Sequence, residues 1–206
     1  MTEDLSPTLT PVEARILGVL VEKEKTTPDY YPLTLSAVVA GCNQATNRDP
    51  VMDLDESEVE RALVSLHDAQ LATPVRRSGD RATKYRHKLA ETLEIDDRQQ
   101  AVLAVLLLRG PQTSGELRTR TERYVQFGSV EEVEEVVDRL AEASLVERMP
   151  RSPGQSQRRI RQLLAEEGAP DPAPVESASP SDLEARVSEL EARFARLLES
   201  LGVDDI

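Results

Sequence analysis

One block of apolar residues recurs in this chain at a fixed offset. Val59, Ala62, Leu63, Leu66, Ala69 and Leu71 stand 74 residues before Val133, Val136, Val137, Leu140, Ala143 and Leu145. Steps of three and four put the first four of each set on one helical face. The last two carry the pattern through a turn into an extended segment. A period kept from helix through turn into strand marks a duplicated supersecondary unit.

The residues around each block complete the unit. In the first copy, Thr10-Pro11-Val12-Glu13 opens a helix with a Thr cap, Pro at the first position and an acid in the first turn. Ile16, Leu17, Leu20 and Val21 form its apolar face, and Thr27-Pro28-Asp29 with Pro32 breaks it. A short helix is expected over 35–42, a polar loop over 43–50, and a third helix capped by Asp55. Strands over 71–77 and 82–89 flank the turn Ser78-Gly79-Asp80. In the second copy, helices are expected over 96–109 and 114–120, the latter capped by Thr113 or Ser114. A third helix is capped by Ser129, and strands follow over 145–149 and 158–164.

Three helices followed by a hairpin is the winged-helix order. The expected fold class is mainly α with small β-hairpins (α+β), as two tandem winged-helix domains over 8–90 and 95–164. The alternative is two unrelated small helical domains. After Glu166 the chain turns rich in Pro, Ala and Ser, and 165–181 reads as a flexible linker. Leu183, Val187, Leu190, Phe194, Leu197 and Leu201 then alternate in steps of four and three. Residues 182–202 therefore read as a C-terminal coiled-coil helix that aids a homodimer, or as a helix that folds back onto the body.

Several short stretches resemble the YceH-like family of bacterial proteins, known for tandem winged-helix domains. They are Glu13-Ala14-Arg15-Ile16-Leu17-Gly18, Glu22-Lys23-Glu24, Tyr31-Pro32-Leu33, Cys42-Asn43-Gln44, Asn47-Arg48-Asp49-Pro50-Val51-Met52, Leu107-Leu108-Arg109-Gly110 and Gly115-Glu116-Leu117-Arg118. The resemblance covers residues 10–150 and implies the tandem fold. It brings no catalytic residues. After Gln155 the sequence departs from the family's Tyr-containing strand, with Arg158-Arg159-Ile160-Arg161 in its place.

Charge limits the functions open to such a fold. The 206 residues carry 38 acids and 25 Lys or Arg, a net of -13, which opposes non-specific attraction to polyphosphates unless positive charge is concentrated locally. The third helices are the wrong sign for groove reading. Residues 53–68 and 129–142 each hold six acids and one Arg. The hairpins are the opposite, with a net of +5 over 71–88 and +4 over 147–163.

Arg76, Arg77, Arg81, Lys84, Arg151, Arg158, Arg159 and Arg161 are therefore the candidate contacts to double-stranded DNA phosphates. The competing reading pairs the basic hairpins with the acidic helices, within a subunit or across a dimer. A further alternative is a scaffold that docks a protein partner on those acidic helices.

The polar residues Asn43, Gln44, Asn47, Arg48 and Asp49 could recognise a ligand, or satisfy buried backbone and cap helices. Tyr30 and Tyr31 are expected to pack, and Cys42 to act as a small buried apolar residue. No P-loop, dinucleotide turn or serine elbow is present, so no enzyme is expected. Cys42, His67 and His87 have no zinc spacing, and neither metal nor cofactor is expected. The apolar run 101–108 is too short to cross a bilayer, and no signal peptide is evident at the N-terminus. The expected setting is a reduced cytoplasm, with no membrane association.

Overall fold

The computed structural model describes residues 9–76, 79, 82–151 and 157–165. About half of these are helical, with small antiparallel sheets. The expected seam over 182–202 and all but the first residue of the expected linker lie outside them.

The first copy begins with α1 (Pro11–Thr26), closed by a capping box: Thr10 Oγ1 accepts from Glu13 N, and Thr10 N donates to the Glu13 carboxylate at 2.7 Å. β1 (Leu33–Thr34) leads into α2 (Leu35–Cys42), whose cap is Thr34. Asp55 and Glu58 form the capping box of α3 (Glu56–Asp68). β2 (Ala72–Val75) and β3 (Lys84–His87) make the hairpin, and β1 adds to β3, giving the order β1-β3-β2.

The second copy repeats this with α5 (Asp97–Arg109), α6 (Ser114–Thr121), α7 (Val130–Glu142), β4 (Val146–Arg148) and β5 (Ile160–Gln162). Thr113 is the cap of α6. In place of a β1 strand, Gln112 forms a single antiparallel bridge with Ile160, each amide donating to the other's carbonyl.

The caps pair as Thr10 with Asp96, Thr34 with Thr113, and Asp55 with Ser129, at separations of 86, 79 and 74. Three residues of the shrinkage come from the first helix, sixteen residues in α1 against thirteen in α5, and the rest falls in the connections. α2 and α6 have eight residues each, and α3 and α7 thirteen each. The exit from the third helix is the same down to the backbone. Gln70 and Ser144 both turn left-handed, at φ 59 and 57. Leu71 and Leu145 then donate back to Leu66 and Leu140 at 2.8 and 2.9 Å. One left-handed residue closes a helix while leaving its end carbonyls bonded.

One expectation fails between the copies. The strand expected over 82–89 stops at His87, and Leu89 opens a short helix, α4 (Leu89–Leu93). Lys88 N donates to Leu71 O at 2.7 Å and Leu89 N to His87 Nδ1 at 3.4 Å, which turns the chain and drives Leu89 into the core. Hydrophobic periodicity cannot see a turn made by a side-chain acceptor.

α1 and α5 pack against each other at the centre of one continuous core. Ile16, Leu17, Val19, Leu20 and Val21 are all fully buried, as are residues 101–104. A helix that is apolar all round is a central helix, which accounts for the run 101–108 without a membrane. Gly18 permits the approach: a Cβ there would lie 2.8 Å from Leu108 Cγ and 3.2 Å from Leu107 Cβ. Residues 9–165 thus form one compact body, closed where Leu9 N donates to Leu164 O at 2.7 Å. No helix among the described residues is long and apolar enough to cross a membrane.

Candidate functional site

The two hairpins carry the candidate residues, and their cations fall into two groups. At the base of the second hairpin, Arg148 lies between the acids of α7. It donates to Glu134 at 2.6 Å and sits 2.8 Å from Asp138. Glu134 also accepts from the hydroxyl of Ser114, the first residue of α6. Arg161 bonds Glu147 across the β4–β5 pair. Arg159 donates to Pro111 O at 2.7 Å and lies 3.9 Å from Glu116. In the first copy, Arg86 pairs with Glu91 at 2.8 Å, and Lys88 lies 4.0 Å from the same carboxylate. Pairing of basic hairpin with acidic helix within one chain, one of the two readings of the charge pattern, is what the base of the second hairpin shows.

Nearer the tips the cations are uncommitted. Arg76, Arg151 and Arg158 are exposed and Lys84 half-buried, and among the described residues none of the four has an ion-pair partner. Arg77 and Arg81 lie outside the described residues. Arg151 and Arg158 line one cleft of about 400 Å³ with Ser114, Glu134, Arg148 and Ile160. Three guanidinium groups there face one carboxylate.

The outer faces of the third helices keep their acids. Glu56, Glu60 and Asp68 on α3, and Glu131, Glu135 and Glu142 on α7, are exposed and have no ion pair among the described residues. α3 also exposes Val64, at 58%.

The polar loop over 43–52 resolves in favour of structure. Asn43 Nδ2 donates to Leu54 O, and Leu54 N returns a bond to Asn43 Oδ1. Arg48 is buried and donates to Gly41 O, Asn47 O, Gln44 and the carboxylate of Glu22. Arg15, only 1% exposed, donates to Cys42 O and Pro50 O. The loop also ties the copies together. Asp49 N donates to Leu108 O at 2.9 Å, Arg109 to Asn47 Oδ1 at 2.8 Å, and Tyr124 Oη to Glu22 at 3.4 Å. Burial pushes the Glu22 carboxyl up, but the bond from Arg48 and the charges of Arg48, Lys23 and Arg123 outweigh it, so it ionises below the usual glutamate range.

Glu22 and Arg15 are the residues that periodicity missed. They bracket the apolar run Ile16 to Val21 of α1, and a charge directly abutting each end of such a run was the available signal.

The remaining singled-out residues divide. Cys42 is buried, and burial pushes its thiol up to about 12. Tyr31 packs, its hydroxyl accepting from His87 N at 2.8 Å. Tyr30 does not pack: it is 78% exposed on the short turn Pro28–Tyr30, all three residues of which are exposed. His87 is buried with Nε2 3.0 Å from Glu24, and His67 is exposed with Nδ1 3.3 Å from Ala72 O. Among the described residues no group of three or more His, Cys, Asp or Glu could hold a metal ion.

Comparison with known proteins places the chain. Residues 9–155 match the family model described as protein of unknown function, DUF480. A UPF0502 protein of Geotalea daltonii is 50% identical over 194 residues, covering 93% of this chain and 88% of that one. One of Mesorhizobium japonicum is 45% identical over 213 residues, covering 98% and 100%. Another, of Shewanella pealeana, is 43% identical over 208 residues, covering 94% and 96%. With the 43–52 loop and every element of the repeated body except β5 inside residues 9–155, the chain belongs to the DUF480/UPF0502 family of bacterial proteins.

Proposed function

We propose that this chain is a tandem winged-helix protein of the cytoplasm that binds the phosphate backbone of double-stranded DNA through its hairpins. One observation carries the reading: the helix-helix-helix-hairpin unit occurs twice, and among the described residues Arg76, Lys84, Arg151 and Arg158 have no ion-pair partner on the hairpins, whereas Arg86, Arg148 and Arg161 do. Phosphate contacts position a protein without reading sequence. The exposed acids of α3 and α7 argue against insertion of either helix in the major groove, so the contact is backbone binding with little base readout. A homodimer through residues 183–201 would present four hairpins and multiply the contact.

The test is salt dependence. Arg76→Ala with Lys84→Ala, and separately Arg151→Ala with Arg158→Ala, should weaken binding about equally for all duplexes. Each lost contact should flatten the slope of log K against log salt by about one. Wild-type protein with no duplex binding at 100 mM salt would refute the reading.

The exposed Val64 between Glu60 and Asp68 favours a second reading, a protein partner on α3. Under it, Glu56→Lys with Glu60→Lys abolishes partner capture. Under the DNA reading the same change strengthens duplex binding.

A further inference from the structure

The cleft of the second copy has the composition of an anion site that already holds an internal anion. Glu134 enters it as a carboxylate. The Ser114 hydroxyl donates to one of its oxygens, and the Arg148 guanidinium to the other at 2.6 Å. Ser114 is 6% exposed, so this hydroxyl is a built part of the wall. Arg151 and Arg158 line the same cleft and have no ion pair among the described residues, while Arg148 is balanced by Glu134 and, outside the lining, by Asp138 at 2.8 Å, so positive charge still exceeds negative there. The first residues of α6 and α7, Ser114 and Val130, both line it. The positive ends of two helices thus add to the field.

We propose that this cleft binds a phosphate group, held by Arg151 and Arg158, with Arg148 shared between the phosphate and Glu134. Planar guanidinium groups suit the bidentate geometry of phosphate oxygens. The site belongs to the second copy alone. At the matching positions of the first copy, Pro74 stands for Arg148 and Leu35 for Ser114, so neither donor is present. The inference goes beyond the DNA reading and does not require it, because the phosphate can come from a duplex backbone or from a small phosphorylated molecule.

The experiment titrates inorganic phosphate into the full-length protein at constant ionic strength, followed by amide NMR shifts or calorimetry. Saturable binding is expected, with shifts at Ser114, Val130 and Arg148. It should weaken at least tenfold in Arg151→Gln/Arg158→Gln and stay unchanged in Arg76→Gln/Lys84→Gln. Glu134→Gln should tighten it severalfold by removing the competing charge. Equal weakening by both double variants, no saturation at millimolar phosphate, or weaker binding in Glu134→Gln overturns the site. Competition then separates the sources. A duplex that displaces phosphate identifies the backbone as the ligand. If phosphate saturates the cleft but no duplex binds the protein, the site stands, its ligand is a free phosphorylated molecule, and the DNA reading fails.

Discussion

The same rung of the two sheets carries different chemistry. In the first copy, Leu33, Tyr85 and Pro74 lie side by side across β1, β3 and β2. In the second, Gln112, Ile160 and Arg148 take those places. On the third helices, Glu60 and Val64 of the first copy correspond to Glu134 and Asp138 of the second, at the constant offset of 74. So Arg148 ties the second hairpin to its helix with two carboxylates, while Pro74 has no cation to offer and leaves Glu60 unpaired and Val64 exposed. Pro is accepted there because β2 is an edge strand with no ladder to break on its outer side. The two copies share the element order and inward faces of the unit. The face between helix and hairpin differs, with Arg148, Glu134 and Asp138 in one copy and Pro74, Glu60 and Val64 in the other.

The core is where the copies should be most alike, and a test there has the largest expected effect. Leu63 is 2% exposed and Val137 fully buried at equivalent positions. Leu63→Asp and Val137→Asp should each cost about 4 kcal/mol or more, because an unpaired carboxylate replaces a buried aliphatic group. α1 and α5 share one core, so either change should abolish a single cooperative melt of residues 9–165. Loss of one copy with the other still melting normally would show that the copies are independent.

A middle-sized effect is expected at the junction. Arg48→Leu leaves Glu22 buried without its principal partner and should cost about 3 kcal/mol in urea unfolding. It should also change the response to acid. The Glu22 carboxyl ionises below its ordinary value of 4.5 in the fold, so its contribution is complete above that value. That contribution is lost as pH falls through the depressed folded value, where the proton binds. The wild type should therefore lose stability below about pH 4.5 more steeply than Arg48→Leu. Parallel acid titrations would break the assignment of Glu22 to Arg48.

The smallest effect sharpens the comparison itself. Arg148→Ala should cost about 0.5–1 kcal/mol, since the pair with Glu134 and Asp138 is partly exposed and screened. Pro74→Ala should change stability by less than about 0.5 kcal/mol, as for an exposed residue with no partner. Amide exchange should quicken in β4 of Arg148→Ala and stay unchanged in β2 of Pro74→Ala. Equal effects in the two hairpins would mean that the Arg148 contacts do not hold the second one.

The helices and their ends were legible because their signals are local. Thr10, Asp55 and Ser129 cap where Ser, Thr or Asp precedes an apolar face, and a cap needs only the next three residues. The partners of the basic residues were less legible. Arg148 and Arg158 look alike in sequence, both in a basic hairpin of a chain with exposed acids nearby. What separates them is reach: Arg148 stands opposite one turn of α7, and Arg158 does not. The 43–52 loop was similarly ambiguous, because Arg48 as a ligand binder and Arg48 as a buried strut need the same residue types.

The sequence by itself determined the repeated unit, the caps Thr10, Asp55 and Ser129, and its inward faces, since periodicity and capping depend on neighbours within a few residues. Only the tertiary structure decided that α1 and α5 merge the copies into one core, that Glu22 is the buried partner of Arg48, and which hairpin cations are already neutralised. Those outcomes depend on side chains up to 102 residues apart meeting within hydrogen-bond distance. Such a meeting is fixed by the packing of whole helices and by the cost of burying a charge without its partner.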